Sequence, residues 1–211
     1  LFHRGEIEES LRLFEKGNYM KRLTKALDTK ARALKLRQVA DTVEALANKD
    51  VKKHVNTIKA QVAVYKVNND FKQAGELLKG LADNTKTLED IWEYAFFIDN
   101  QNNLSEALKY YQTYIDKMGK DLVLDDKTRR RQKARAHNNI GRIYWLMYKY
   151  EEAEAAYNMS LNCNRGIDGI FADSMRYAYT LANIAILLKD KYEYDKAESY
   201  YIQSHNLYKN L

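Results

Sequence analysis

The chain has no proline in 211 residues, only eight glycines and a single cysteine. The scarcity of helix breakers favours long uninterrupted helices and argues against a turn-rich β-sandwich or barrel. One cysteine, Cys163, excludes an internal disulfide and reads as a small buried residue near a helix end. No run of 18 apolar residues occurs, so no membrane-crossing helix is expected. The four histidines, His3, His54, His137 and His205, are scattered without metal-ligand spacing. There is no phosphate-binding glycine loop, dinucleotide fingerprint or nucleophile elbow. The segment is therefore expected to be non-enzymatic, with no catalytic residues, metal or cofactor.

What is present is charge and tyrosine. The formal net charge is +6, and 17 residues are tyrosine. Basic residues gather in the first sixty positions and in the run Lys127, Arg129, Arg130, Arg131, Lys133, Arg135. Such a run is usually a solvated helix face. The sequence motifs of RNA and DNA binders are absent, so nucleic acid is not the expected partner.

A phrase recurs along the chain. In 134–160, Ile140, Gly141 and Tyr144 form one helical stripe, and Tyr150, Ala153, Tyr157 and Ser160 form a second. The two stripes meet at Lys149-Tyr150, as in a helical hairpin with small residues where its backbones approach. The same arrangement returns around Ile184-Ala185, Leu188, Ala197 and Tyr201, and around Tyr94-Ala95, Ile98, Ala107 and Tyr111. A weaker copy has Val62, Tyr65, Ala74 and Leu78. In every copy the alanine of the second helix follows the Val62, Ala95, Gly141 or Ala185 of the first by twelve residues (74−62, 107−95, 153−141, 197−185). The period between copies is 33, then 46, then 44 (95−62, 141−95, 185−141).

These residues resemble the tetratricopeptide repeat (TPR), a helix–turn–helix unit with a Leu-Gly, Tyr, Ala and Phe signature. Ile140-Gly141 stands for Leu-Gly, Tyr144 for Tyr, Ala153 for Ala and Tyr157 for Phe, while His137 replaces the usual Trp and the closing Pro is missing. The resemblance implies an all-α, right-handed solenoid of hairpins, each with an A and a B helix. The expected repeats lie near 55–84, 88–118, 127–164 and 171–210, within an array over 51–211. Residues 1–50 are expected to form a degenerate N-terminal hairpin, with Arg22 at its alanine position, and an extra helix, together acting as a cap. Longer A helices and links would absorb the extended periods, as in the longer repeats of kinesin light chains and many bacterial signalling proteins. The Lys/Asn/Tyr-rich composition and the start at Leu1 point to a piece of a bacterial multidomain protein in the cytoplasm.

The resemblance also assigns a binding face. A helices line a concave groove, and peptide contacts come mostly from their positions two, five, six, nine, twelve and thirteen. Counted from Val55, Leu88, Ala134 and Ala178, these positions supply the candidate ligand-binding residues Lys59, Trp92, Phe96, Arg135, Asn138, Asn139, Arg142, Trp145 and Tyr179. Arg135, Asn138 and Arg142 share a helix face. Arginine offers bidentate carboxylate contacts, asparagine clamps a peptide backbone, and the aromatics are hot-spot types. The expected function is protein–protein interaction, with an acidic peptide or helix in the groove. The alternatives are a nucleic-acid-binding regulator using the 127–135 run, a spacer, or a homodimer joined through exposed solenoid ends near Ile202 and Leu207. Arg–Glu pairs between repeats are the competing fate of the inner polar residues.

Overall fold

The computed structural model describes residues 49, 52–120, 124–165 and 174–209. The chain divides into two compact units, Leu1–Val64 and Tyr65–Leu211. A helix over 52–67, α1, supplies the described part of the first unit, where the Thr57 hydroxyl donates to the Lys53 carbonyl and Val62 is buried. Apart from Lys49, which is helical, the hairpin and extra helix expected over 1–50 lie outside the described residues.

The second unit starts with the last turn of α1 and continues through seven helices: α2 (Phe71–Thr85), α3 (Leu88–Asn100), α4 (Leu104–Lys120), α5 (Asp126–Leu146), α6 (Tyr150–Asn164), α7 (Ser174–Asp190) and α8 (Tyr194–Lys209). Each helix from α2 to α8 packs on its neighbours in sequence, and α5 also touches α7. The result is an all-α solenoid of helical hairpins. The irregular period has the expected cause: α3 has 13 residues, whereas α5 has 21 and α7 has 17.

The twelve-residue spacing is a count of hydrogen bonds. Asn69, Asn102, Tyr148 and Tyr192 all have positive φ, between 58° and 64°, and each follows Val62, Ala95, Gly141 or Ala185 by seven residues. The next residue in each turn donates its N–H five residues back: Asp70 to Tyr65, Asn103 to Ile98, Lys149 to Tyr144 and Glu193 to Leu188, all at 2.9–3.0 Å. This left-handed step closes one helix and satisfies its free carbonyls. The same residue's carbonyl then accepts from the alanine four residues on, Ala74, Ala107, Ala153 or Ala197, which starts the B helix. Thr87 caps α3, accepting from the Asp90 N–H, as its sequence position suggests. The B helix of the second pair starts at Leu104, so Asn103 precedes it although Ser105 is the favoured capping type nearby, and Asp125 caps α5, accepting from the Thr128 N–H.

Small residues stand where helices meet. A Cβ added at Gly141 would lie 2.5 Å from Cδ1 of Tyr157, so only glycine lets this ring lie flat on α5. Ala95, Ala153 and Ala185 are fully buried, and Tyr157 packs in one cluster with Ala153, Ile184, Leu187, Leu188 and Ala197. Two buried latches tie B helices to their A helices: Ser160 Oγ donates to the Ala134 carbonyl at 2.8 Å, and Ser204 Oγ to the Ala178 carbonyl at 2.7 Å. Each spans 26 residues, a second repeat-related contact.

Two outcomes test this packing. Gly141→Ala forces the Tyr157 ring away and is expected to destabilise the protein by about 1–3 kcal/mol in urea unfolding. Tyr148, 81% exposed in a left-handed turn, contributes strain and little burial. Tyr148→Gly is expected to stabilise by about 1 kcal/mol; unchanged or lower stability would contradict the assignment of strain to that turn.

Candidate functional site on the face of the A helices

The A helices α3, α5 and α7 stand side by side, and the polar residues at their inner positions meet across the repeats. The residue at position twelve of each of the first three A helices reaches forward. Lys66 Nζ lies 3.3 Å from Glu93 Oε1, Asp99 pairs with Arg142, and the Trp145 indole N–H donates to Asp190 Oδ2 at 2.8 Å. The Asp99 carboxylate is buried and also accepts from the Tyr111 hydroxyl at 3.2 Å, while Asn139 Nδ2 donates to the Tyr111 oxygen at 2.9 Å. Burial, followed by the Asp99 charge, holds the Tyr111 hydroxyl protonated far above neutral pH. Asn138 is buried and accepts from Asn183 Nδ2 at 2.9 Å.

The nine sequence-predicted residues therefore separate. Asn138, Asn139, Arg142 and Trp145 are engaged by neighbouring elements. Phe96 and Tyr179 are exposed. Lys59 lies half-buried in the first compact unit. Arg135 and Trp92 come together, with the guanidinium carbon 4.0 Å from the ring centroid. Trp92 is held by Tyr111 and Tyr114, with centroids 5.2 and 5.1 Å away. Stacking of this kind covers the face of a guanidinium and leaves its N–H edge free for a planar anion. Among the described residues no carboxylate pairs with Arg135. Burial, and then the charge of Arg176, push its pKa below the usual arginine value.

The groove count places Asp99, Asn183 and Asp190 on the inner face without selecting them as ligand-binding residues, and it does not reach Tyr111 or Tyr114 on the B helix. The available signal was the repeat register, because Asp99 and Trp145 occupy the position of Lys66 one and two repeats later. The basic run also separates. Arg129 donates to the Leu124 carbonyl, Arg130 binds Asp126 at 2.8 Å and the Arg165 carbonyl at 3.2 Å, and Arg135 turns to Trp92. These contacts do not form a single patch.

On the other side of the second unit, Glu106 accepts from Lys79 at 2.8 Å, Tyr94 at 2.9 Å and Asn103 at 2.8 Å. The hydrogen bond from Lys79 is the largest influence holding its carboxyl below the ordinary value of 4.5.

A solenoid of hairpins with a shared A-helix face defines a class of interaction scaffold. The family model described as "Tetratricopeptide repeat" matches residues 178–211, the pair α7–α8, and the earlier pairs repeat its turn and spacing. The pair α7–α8 is thus a tetratricopeptide repeat by sequence, and the earlier hairpins resemble it in turn and spacing. Solved structures share the fold. That of BtubC (BKLC) from P. vanneervenii has a TM-score of 0.60 at 16% identity, covering 97% of this chain and 87% of that one. The structure of PilF from Pseudomonas aeruginosa has a TM-score of 0.53 at 19% identity, covering 81% and 70%. That of MamA has a TM-score of 0.51 at 16% identity, covering 69% and 73%. No curated protein matches the sequence. The fold serves interaction with other proteins, and no helix among the described residues is long and apolar enough to cross a membrane.

Two measurements follow from the polar contacts. Arg142→Met leaves the buried Asp99 carboxylate without its cation and is expected to cost about 3 kcal/mol, whereas adding Asp99→Asn recovers part of the loss; additive losses would contradict the pairing. Glu106 has a lowered folded-state pKa, so its stabilisation is complete above about 4.5, its unfolded value, and is lost as pH falls through the folded value. Glu106→Gln should flatten the acid limb of a plot of melting temperature against pH.

Proposed function

We propose that this protein is a scaffold arm that binds an acidic peptide or helix of a partner protein on the face of its A helices, with Arg135 as the principal anion contact. The observation that carries the reading is the Arg135–Trp92 stack. It is a half-buried guanidinium laid on a fixed aromatic ring at 4.0 Å, with no carboxylate among the described residues to neutralise it. A desolvated arginine of this kind gains most from a ligand that brings a carboxylate. The exposed Phe96 and Tyr179 flank the site as apolar contacts on the neighbouring A helices. Arg142 plays a different part, because Asp99 already occupies it. The role fits an arm of a larger, cytoplasmic, bacterial protein, as the Lys/Asn/Tyr-rich composition suggests.

Selection from a displayed library of random peptides tests the reading. Bound peptides should be enriched in Asp and Glu, and Arg135→Glu should weaken a selected peptide by about tenfold or more. Arg135→Lys keeps the charge but loses the stacked fork, and should give an intermediate loss. Selected peptides without acidic residues, or equal binding by Arg135→Glu, would refute the anion contact.

A further inference from the structure

Arg135 is not the only cation at its end of the A-helix face. Helices α5 and α7 touch, and two hydrogen bonds fix how they line up: Asn183 Nδ2 to Asn138 Oδ1, and Trp145 Nε1 to Asp190 Oδ2. Both join residues 45 apart (183−138, 190−145). The two helices therefore run side by side in one direction, and the same offset sets Arg176 opposite Arg131 (176−131). Arg131 precedes Arg135 by four residues and so shares its helix face. Three arginines thus gather at one end of the α5–α7 contact. Arg131 is exposed, whereas Arg135 and Arg176 are half-buried. The Arg176 charge is felt at Arg135, where it follows burial in lowering the guanidinium's pKa.

Gathering like charges costs free energy. Cations four residues apart on a helix repel each other, and partial burial reduces the screening that would make the repulsion harmless. Farther along the same face the cations are matched, Lys66 by Glu93 and Arg142 by Asp99. Among the described residues no carboxylate pairs with Arg131 or Arg135. A single carboxylate brought by a ligand would neutralise one of the three. A phosphate monoester carries about two negative charges at neutral pH and offers three acceptor oxygens, enough to engage two guanidinium forks at once. Trp92 already fixes the plane of the Arg135 fork.

We propose that the anion bound here is the phosphate of a phosphorylated side chain in a partner protein's peptide, held by Arg135 and Arg176 with Arg131 at the rim. This rests on the acidic-ligand reading and specifies the ligand of the same site. A nucleic-acid backbone fits the face less well. It needs a continuous basic track, whereas Glu93, Asp99 and Asp190 lie along this face, and Arg129 and Arg130 turn to the Leu124 carbonyl and to Asp126. The exposed rings of Phe96 and Tyr179 on the neighbouring A helices suit the side chains that flank a modified residue.

The test uses an array of synthetic peptides with random flanks and a central phosphoserine, phosphotyrosine, glutamate or serine, probed with the full chain. The best sequences are then titrated in solution by fluorescence anisotropy. The phosphorylated form should bind about tenfold or more tightly than its glutamate counterpart. Arg176→Met should cost the phosphorylated form about tenfold and the glutamate form much less. Arg131→Met, at an exposed position that folding does not depend on, should cost the phosphorylated form a smaller factor of about three. Equal binding of the phosphorylated and glutamate forms overturns the proposal and leaves the acidic-ligand reading standing. Equal binding of acid and serine peptides overturns both. Oligothymidylate bound as tightly as the phosphopeptide, with the same loss in Arg176→Met, overturns it in favour of a nucleic-acid backbone. Inorganic phosphate bound as tightly as the phosphopeptide in calorimetry overturns it in favour of a free anion.

Discussion

The structure depends on one left-handed residue per hairpin. A helix that ends in water leaves its last carbonyls unsatisfied. Here a single positive-φ residue turns the chain so that the N–H of the next residue reaches back five residues, and that next residue's carbonyl opens the following helix. That arrangement fixes where the B helix begins and which of its faces returns to the A helix. The alanine and the small A-helix residue then meet without adjustment, as Gly141 and the Tyr157 ring show. The first two turns use asparagine, which tolerates this conformation; the last two use tyrosine, which does so at a cost. Packing within the hairpin is strong enough to impose the turn on a poorly suited residue.

Between hairpins, apolar and polar contacts have different roles. Tyr157, Ile184, Leu187 and Leu188 supply burial, the dominant favourable contribution. The inner polar contacts set orientation. Lys66, Asp99 and Trp145 hold one position in successive A helices, and each contacts the A helix that follows. The chemistry changes from a half-buried ion pair to one with a buried carboxylate to an indole hydrogen bond, while the position is kept. A single half-buried pair still open to solvent, such as Lys66–Glu93, contributes little by itself. The Asp99–Arg142 pair matters more, because either charge alone in that setting would be costly.

The fold was legible in the sequence because the twelve-residue spacing is the direct imprint of a hydrogen-bonded turn. Even a weak copy such as Val62–Ala74 keeps it. Boundaries were less legible. Ser105 is a favoured capping type, yet Asn103 takes the position because the preceding turn already places its carbonyl. The candidate site was legible in its positions but not in its pairings. Asn138, Arg142 and Trp145 were marked as groove residues because their types suit ligands. The structure joins them to Asn183, Asp99 and Asp190, which lie 43 to 45 residues away. A helical pattern states which face a side chain occupies; it does not state which side chain of another repeat meets it. Arg135 differs from Arg142 only in what the neighbouring helix offers, a tryptophan ring rather than a carboxylate.

That difference is the centre of the functional account, and side-chain NMR of the arginine Nε–Hε groups tests it most directly. On titration with an oligoglutamate peptide, the Arg135 signal should shift progressively while the Arg142 signal, held by Asp99, stays in place. Equal shifts of both signals, or a shift of Arg142 alone, would contradict the division between a ligand-facing and a structural arginine.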